Sequence, residues 1–407
     1  MNSFDIIAAS IEKSRNEMIE WEKMLTAVPA LSPDSNGQGE LKKCEVLESL
    51  LKKNGITKLE RFDAPDSRVE SGIRPNLVAT IDGVSDEKSI WIMSHMDVVP
   101  EGDLTQWKTN PWEVVEKDGK LYGRGVEDDQ QGLVSSVFAA LALIRNGIKP
   151  SYTVKLLFVA DEEVGSGYGI QYLLDEYNLF RPDDIIIVPD GGDPEGETIE
   201  TAEKNILWLK IRTLGKQSHG SRPDEGQNAF LANCELALKL NALEKSFDKR
   251  DPIFEPDCST FQPTKKEANV PNVNTIPGED VFFMDCRILP CYTLDYTRSE
   301  IKKCIAEVEA KYRVSISLSE LQAVESPATP VNSEVVEKLS AAIKKVSGRT
   351  ARPIGIGGGT VAAYLRIKGL NAAVWGTIDE TAHQPNEYCY IENLINDAKV
   401  LAAVMCS

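Results

Sequence analysis

Histidine is scarce in this chain: there are 3 in 407 residues, at positions 95, 219 and 383. Positive charge is also short, with 45 lysines and arginines against 63 acids and a net charge of −18. That balance excludes nucleic acid as a partner, because phosphate binding needs a basic surface. It argues equally against an anionic membrane surface. No apolar run approaches the roughly 18 residues that cross a bilayer. The N-terminal stretch MNSFDIIAASIEKSRNEMIEWEKML has no basic region followed by an apolar core. It reads as one amphipathic helix, not a signal peptide. The 8 cysteines include no Cys-x-x-Cys pair, which fits free thiols in a reducing cytoplasm better than disulfides or a structural zinc knuckle. Repeats and low-complexity tracts are absent. A soluble cytoplasmic protein remains, too long for one ordinary domain and comfortable for two.

What is present is a series of apolar strands that end in polar residues. Ser89–Met93 reads as a buried strand and runs into Ser94-His95-Met96-Asp97. Val154–Ala160 ends in Asp161-Glu162-Glu163, and Ile185–Val188 ends in Pro189-Asp190. Asp128 and Asp129 precede a helix predicted over Gln131–Asn146, and Asp161–Gly167 is expected to open a further helix. Strands alternating with helices predict an α/β sandwich, whose chemistry belongs at the carboxyl ends of its strands. From Asn205 to about Leu321 the order changes to β-α-β-β-α-β, the pattern of a ferredoxin-like α+β domain. The expected division is 1–201, first part of the catalytic domain; 202–324, inserted domain; 325–407, second part of the catalytic domain.

The polar residues at these strand ends are His95, Asp97, Asp128, Glu162, Glu163, Asp190 and His383. Carboxylates this dense at one sheet edge repel unless cations neutralise them. Histidine with Asp and Glu, and no Cys, suits zinc or a similar divalent ion. Two histidines and several carboxylates fit two ions sharing one carboxylate, an arrangement suited to amide hydrolysis. One Glu of the 162–163 pair can serve as the base.

These motifs resemble the dinuclear-zinc peptidase and amidohydrolase superfamily of aminoacylases, glutamate carboxypeptidases, succinyl-diaminopimelate desuccinylases and bacterial dipeptidases. The resemblance rests on Ser94–Pro100, Leu121–Gly125 through Asp128-Asp129, Asp161–Ser166, Gly215–Gly220 and His383–Glu387. It implies a zinc-peptidase-like catalytic sandwich with a ferredoxin-like lid or dimerisation domain. It implies two divalent metal ions per chain, zinc first, with cobalt or manganese as alternatives. His95 and Asp190 would hold one ion, His383 and Glu163 the other, and Asp128 would bridge them. Asp97 would hold the His95 ring, Glu162 would be the general base, and His219 would stabilise an oxyanion in a neighbouring site of a homodimer. The Asp128–Asp129 peptide is expected to be cis. Substrate contacts are expected from Asn274, Arg287 and the turn Gly358-Gly359-Thr360.

Two departures bear on the substrate. Gln130 stands where such proteins commonly carry Lys, and Ala363 stands near the place of a substrate-gripping Arg in the dipeptidases. Each residue also has an ordinary reading. Asp128 could be a helix N-cap, Glu162 and Glu163 first-turn acids, Asp190 a turn residue, His219 an exposed loop side chain, and Arg287 a salt-bridge partner. The expected reaction is hydrolysis of an amide bond beside a free carboxylate, in a dipeptide, a C-terminal residue or an N-acyl amino acid. The rivals are an N-succinyl or N-acetyl amino-acid deacylase of biosynthesis, and a non-catalytic binding protein of the same fold.

Overall fold

The computed structural model describes residues 3–407. The chain divides into two compact units. The first runs to Thr201 and resumes over Thr329–Ile354 and Tyr364–Ser407; the second is Ala202–Ala328 with Gly355–Ala363. The first begins with α1 (Ser3–Lys13), α2 (Arg15–Thr26), α3 (Leu41–Lys53), β1 (Leu59–Pro65), β2 (Ile73–Ile81) and β3 (Ser85–His95). The hairpin β4 (Val115–Lys117) and β5 (Lys120–Tyr122) follows, then α4 (Gln130–Arg145), β6 (Tyr152–Val159), α5 (Ile170–Glu176), β7 (Ile185–Val188) and β8 (Thr198–Glu203). The second unit supplies β9 (Asn205–Leu214), β10 (Ser218–His219), α6 (Ala229–Asn241), β11 (Thr260–Lys266), β12 (Thr275–Ile276), β13 (Glu279–Ile288), α7 (Leu294–Tyr312) and β14 (Ser315–Val324). The chain closes with α8 (Glu334–Ser347), β15 (Arg352–Ile356), α9 (Ala362–Ile367), β16 (Ala372–Val374), β17 (Tyr388–Tyr390) and α10 (Ile391–Met405).

The main sheet has the order β1-β2-β6-β3-β7-β16-β8-β15. At its centre β3 runs parallel to both β6 and β7. Parallel strands are covered on both faces, which is why β3 carries a continuous apolar run rather than an alternation. Ile90, Trp91, Ile92 and Met93 are all fully buried, each worth about 1.5–3 kcal/mol of apolar burial. The parallel arrangement also brings the ends of β3, β6 and β7 to one edge, and with them His95, Asp161 and Val188.

The N-terminal helix predicted as one is two, parted at Ser14, whose hydroxyl donates to the Ser10 carbonyl (3.0 Å). That bond competes with the helical ladder. Two strands carry no apolar pattern in the sequence. β8 reads Thr-Ile-Glu-Thr-Ala-Glu yet is buried along its whole length, and β15 holds a proline.

The second unit has a four-stranded antiparallel sheet, β11-β13-β9-β14. With α6 and α7 in chain order this is the predicted β-α-β-β-α-β pattern. Along β9, Leu207, Leu209 and Ile211 face a core while Trp208 and Arg212 are exposed, a clean period of two. The sequence reading places all of 325–407 with the catalytic part. Instead, Glu325–Ala328 and Gly355–Ala363 pack within the second unit. The Gly355 N–H donates to Ile253 O (2.8 Å) and the Lys204 N–H to Ile356 O (3.0 Å), which draws the end of β15 there. The short strand β12 pairs with β10 rather than joining this sheet.

Candidate metal centre

Asp128 is the middle of the site. Its Oδ1 lies 2.9 Å from His95 Nε2, and its Oδ2 lies 3.2 Å from His383 Nε2. His95 Nε2 is 3.8 Å from Asp190 Oδ2, and His383 Nε2 is 2.9 Å from Glu163 Oε2. Two candidate ligand groups result, His95/Asp128/Asp190 and Asp128/Glu163/His383, each with its nitrogen and oxygen atoms within 4.8 Å of one another.

The backbone around these side chains is pinned by other carboxylates. The Asp97 carbonyl accepts from His95 Nδ1 (2.9 Å). A carbonyl only accepts, so Nδ1 carries a proton, which leaves Nε2 as the nitrogen an ion would take once its own proton, now shared with Asp128, is displaced. The Asp97 carboxylate is 3.6 Å from that ring nitrogen. It accepts instead from the N–H groups of Glu162 (3.0 Å) and Glu163 (3.1 Å). The ring is therefore fixed by the main chain of Asp97, while the Asp97 side chain fixes the Glu162-Glu163 turn. That turn is a single 3-10 turn, Glu162–Val164, not the start of the expected helix. Asp161, Gly165 and Ser166 all hold positive φ and break helical continuity before α5.

Asp128 is held from behind by two residues to which the sequence reading gave no role. Glu387, fully buried, accepts from the N–H groups of Glu127 (3.0 Å) and Asp128 (3.3 Å) and from Arg124 Nη1 (2.6 Å). Both residues lie inside motifs singled out in the sequence, where position alone gave no partner. The Asp128–Asp129 peptide is cis. Asp129 Oδ2 accepts the His95 N–H (3.1 Å). Gly125 turns the chain at φ +85, where a Cβ would strike Val98. Gly132 lets α4 approach Pro189, whose carbonyl would stand 2.4 Å from a Cβ there.

The electrostatics follow from crowding. Burial alone lowers the His95 imidazole; the neighbouring carboxylates of Asp128, Asp97 and Asp190 more than reverse this and hold it well above its usual value. Hydrogen bonds to Asp128 and Glu163 push His383 up to about 10. Burial raises Asp190 well above the carboxylate range and lifts Glu162 to about 7, with Asp97, Glu163 and Asp128 adding to the rise. The anions thus draw positive charge into the site, here as protons on the imidazoles. Divalent ions supply the same charge with the imidazoles neutral, and nitrogen with carboxylate oxygen is the donor set zinc-like ions take. The residues present fit such ions. Among the described residues the Glu162 carboxylate makes no hydrogen bond.

The remaining candidates lie in the second unit. His219 is exposed on β10, its Nδ1 2.8 Å from the Ser221 hydroxyl. The β10–β12 pairing brings it beside Asn274, whose carbonyl accepts the Gly220 N–H (2.7 Å). Arg287 pairs with Asp285 (2.7 and 3.1 Å) and donates to the Gly357 carbonyl (2.9 Å). It therefore braces the glycine-rich turn. Gly358 and Gly359 are exposed, and the Thr360 hydroxyl donates to Glu203 (2.6 Å). α9, which the turn opens, spans only 6 residues. Gln130 and Gln131 turn into the fold. Gln130 bonds Thr26 (2.7 Å) and Glu22 (3.2 Å), and Gln131 bonds Asp397 (2.9 Å). Arg366 is buried, bonding the carbonyls of Ala372 (3.1 Å) and Glu200 (3.2 Å).

A mixed α/β fold with two histidine–carboxylate groups sharing one aspartate defines a metallohydrolase class. The profile of peptidase family M20/M25/M40 matches residues 91–407, and the chain belongs to that family. It is 42% identical to an uncharacterized metallohydrolase of Methanocaldococcus jannaschii, over 96% of this chain and 98% of that protein. It is 25% identical to succinyl-diaminopimelate desuccinylase of a Nitratiruptor species, over 91% and 94% of the two chains. The aminopeptidase PepT structure from Bacillus cereus superposes with a TM-score of 0.76 at 19% identity, covering 96% of this chain and 98% of that one. The protein is a metal-dependent hydrolase with the fold of the family's peptidases, as the sequence motifs imply. No described helix is long and apolar enough to cross a membrane.

Proposed function

We propose that the protein hydrolyses an amide bond adjacent to a free carboxylate, with two divalent ions, zinc foremost, held by His95, Asp128, Asp190, Glu163 and His383. The observation that carries this reading is Asp128, whose two oxygens each address one imidazole, beside a Glu162 carboxylate with no hydrogen-bond partner among the described residues. Ions bound there supply Lewis acidity toward water and toward a carbonyl oxygen. The protein supplies the proton path. Glu162, lifted toward 7 by burial, accepts the proton of the attacking water as the C–O bond forms, then delivers it to the amine nitrogen as the C–N bond breaks. Asp97 holds Glu162 in place through its N–H. His219 donates to the oxyanion from a second copy, the ferredoxin-like unit being the lid and dimer contact. Asn274, Arg287 and the Gly358-Gly359-Thr360 turn position the substrate carboxylate. The enzyme acts in the cytoplasm on small peptides or N-acyl amino acids.

A second reading, an N-succinyl or N-acetyl amino-acid deacylase, is favoured by the identity to a desuccinylase and by Ala363, which offers no arginine for a dipeptide carboxylate. One experiment separates the two. Dipeptides, N-acetyl and N-succinyl amino acids are assayed with Zn²⁺, Co²⁺ and Mn²⁺. Either preference supports amide hydrolysis beside a carboxylate; preference for acyl amino acids narrows it to the second reading, and preference for dipeptides excludes that reading. Hydrolysis of none, in protein carrying two ions per chain, overturns both.

A further inference from the structure

The first unit holds a cleft of about 340 Å³ that the proposed reaction does not use. None of the ligands, nor Glu162, lines it. Its lining is of two kinds. Trp375, Ile343, Val346 and Val400 are apolar. The rest is polar and of both signs: Arg349, Glu392 and Glu195 are exposed at its mouth, the amides of Asn393 and Asn396 are half-buried, and Asp397 is buried.

The cleft is tied to three of the five segments that feed the metal centre, those of Asp128, Asp190 and His383. Its residues Pro194–Gly196 lie on the loop that begins at Asp190. Thr377 stands on the segment leading to His383, and its N–H (3.1 Å) and hydroxyl (2.7 Å) both donate to Asp397. Asp397 also accepts from Gln131 Nε2 (2.9 Å), on the turn of α4 that follows Asp128, and Gln131 donates to Thr377 O (2.8 Å). The Ile378 N–H donates to Asp193 O (3.2 Å), closing the loop after Asp190 onto the same segment. Whatever orders this cleft orders the chain on which Asp128, Asp190 and His383 sit.

The lining selects a ligand class. A bare anion meets Glu195 and Glu392. A purely apolar molecule leaves the amides and carboxylates desolvated without partners. The volume stands at the small end of ligand sites. We infer that this cleft is a second, regulatory site for a free α-amino acid. Its carboxylate pairs with Arg349, whose guanidinium now donates to the Glu195 carbonyl, its ammonium with Glu392 and the Asn396 amide oxygen, and its side chain rests on the half-buried Val346. The binding half of the inference is measured without turnover, while its regulatory half rests on the proposed hydrolase reading, since it is read from kcat/KM.

The test is calorimetric titration of the metal-loaded enzyme with L-leucine, L-glutamate and L-lysine, in wild type, His383→Ala, Glu392→Gln and Asn396→Leu. At least one amino acid binds wild type and His383→Ala alike, and binding weakens about tenfold in each cleft variant, as loss of a hydrogen bond to a charged group predicts. Wild-type kcat/KM shifts when that amino acid is saturating. Glu392→Gln keeps the basal kcat/KM and loses the shift. Glu392 is exposed, so this variant carries the test if Asn396→Leu does not fold. No binding by any of the three overturns the site. Binding that survives both cleft variants, or that disappears in His383→Ala, places the amino acid elsewhere and overturns it too. Binding with no change in kcat/KM overturns the regulatory role.

Discussion

The side chain of His95 is 1% exposed and that of His383 57%, although both imidazoles address the same carboxylate. The buried group is built at the ends of β3 and β7, inside the parallel core, and its ring orientation is set by a backbone carbonyl. The exposed group is built on a 3-10 turn and on a loop residue, His383, whose φ is +63. One half of the centre is therefore placed by the sheet, the other by loops held through side chains. An ion held by the first group would sit beside the buried His95, and one held by the second would lie beside the exposed His383.

The comparison breaks most completely at the shared residue. Asp128→Asn removes the anion common to both groups, so hydrolysis falls below detection and metal content below one ion per chain, read by elemental analysis. If both ions remain, the two groups are not coupled through Asp128. Glu162→Gln leaves both groups intact and lowers kcat by about 10²–10⁴-fold, the range for a general base. Metal content stays unchanged, and undiminished turnover would remove Glu162 from the proton path. Glu387→Gln acts from behind Asp128. Loss of an orienting partner predicts a metal affinity weaker by about 10–100-fold, with Arg124→Met giving the same result in a chelator competition.

The smallest effect tests the exposed group alone. In the metal-free protein His383 has its pKa raised to about 10, above the ordinary imidazole value. Its pairing with Asp128 and Glu163 therefore stabilises that form at neutral pH and is lost as pH rises through about 10. An ion must displace this proton, so affinity at the exposed group rises with pH, about tenfold per unit between pH 6 and 8. Titration in buffers of different ionisation heat reads the proton released, and His383→Ala removes it. A pH-independent affinity in wild type would mean that the proton is not on His383.

Much of the site is legible in one dimension because strand-end chemistry leaves a local mark. An apolar run such as Ile90–Met93 announces a buried strand, and the polar residue that ends it stands out against it. His95, Glu162, Glu163 and Asp190 are found this way. β8 is not, because Thr-Ile-Glu-Thr-Ala-Glu is polar in composition and becomes buried only through neighbours distant in sequence. Glu387 and Arg124 are visible as motif letters, but their hydrogen bond joins positions 263 residues apart.

The sequence by itself determined the α/β class, the βαββαβ pattern and the polar residues that end the strands, since periodicity and residue chemistry are local properties. The family resemblance already implies how the candidate ligands divide around Asp128; the tertiary structure added the distances within each group. It also decided that Asp97 holds the ring with its carbonyl and the Glu162-Glu163 turn with its carboxylate, that Arg287 braces the glycine-rich turn, and that Gly355–Ala363 belongs to the second unit. Those outcomes depend on which segments meet and at what distance, and hydrogen bonding is sensitive to differences of less than 1 Å.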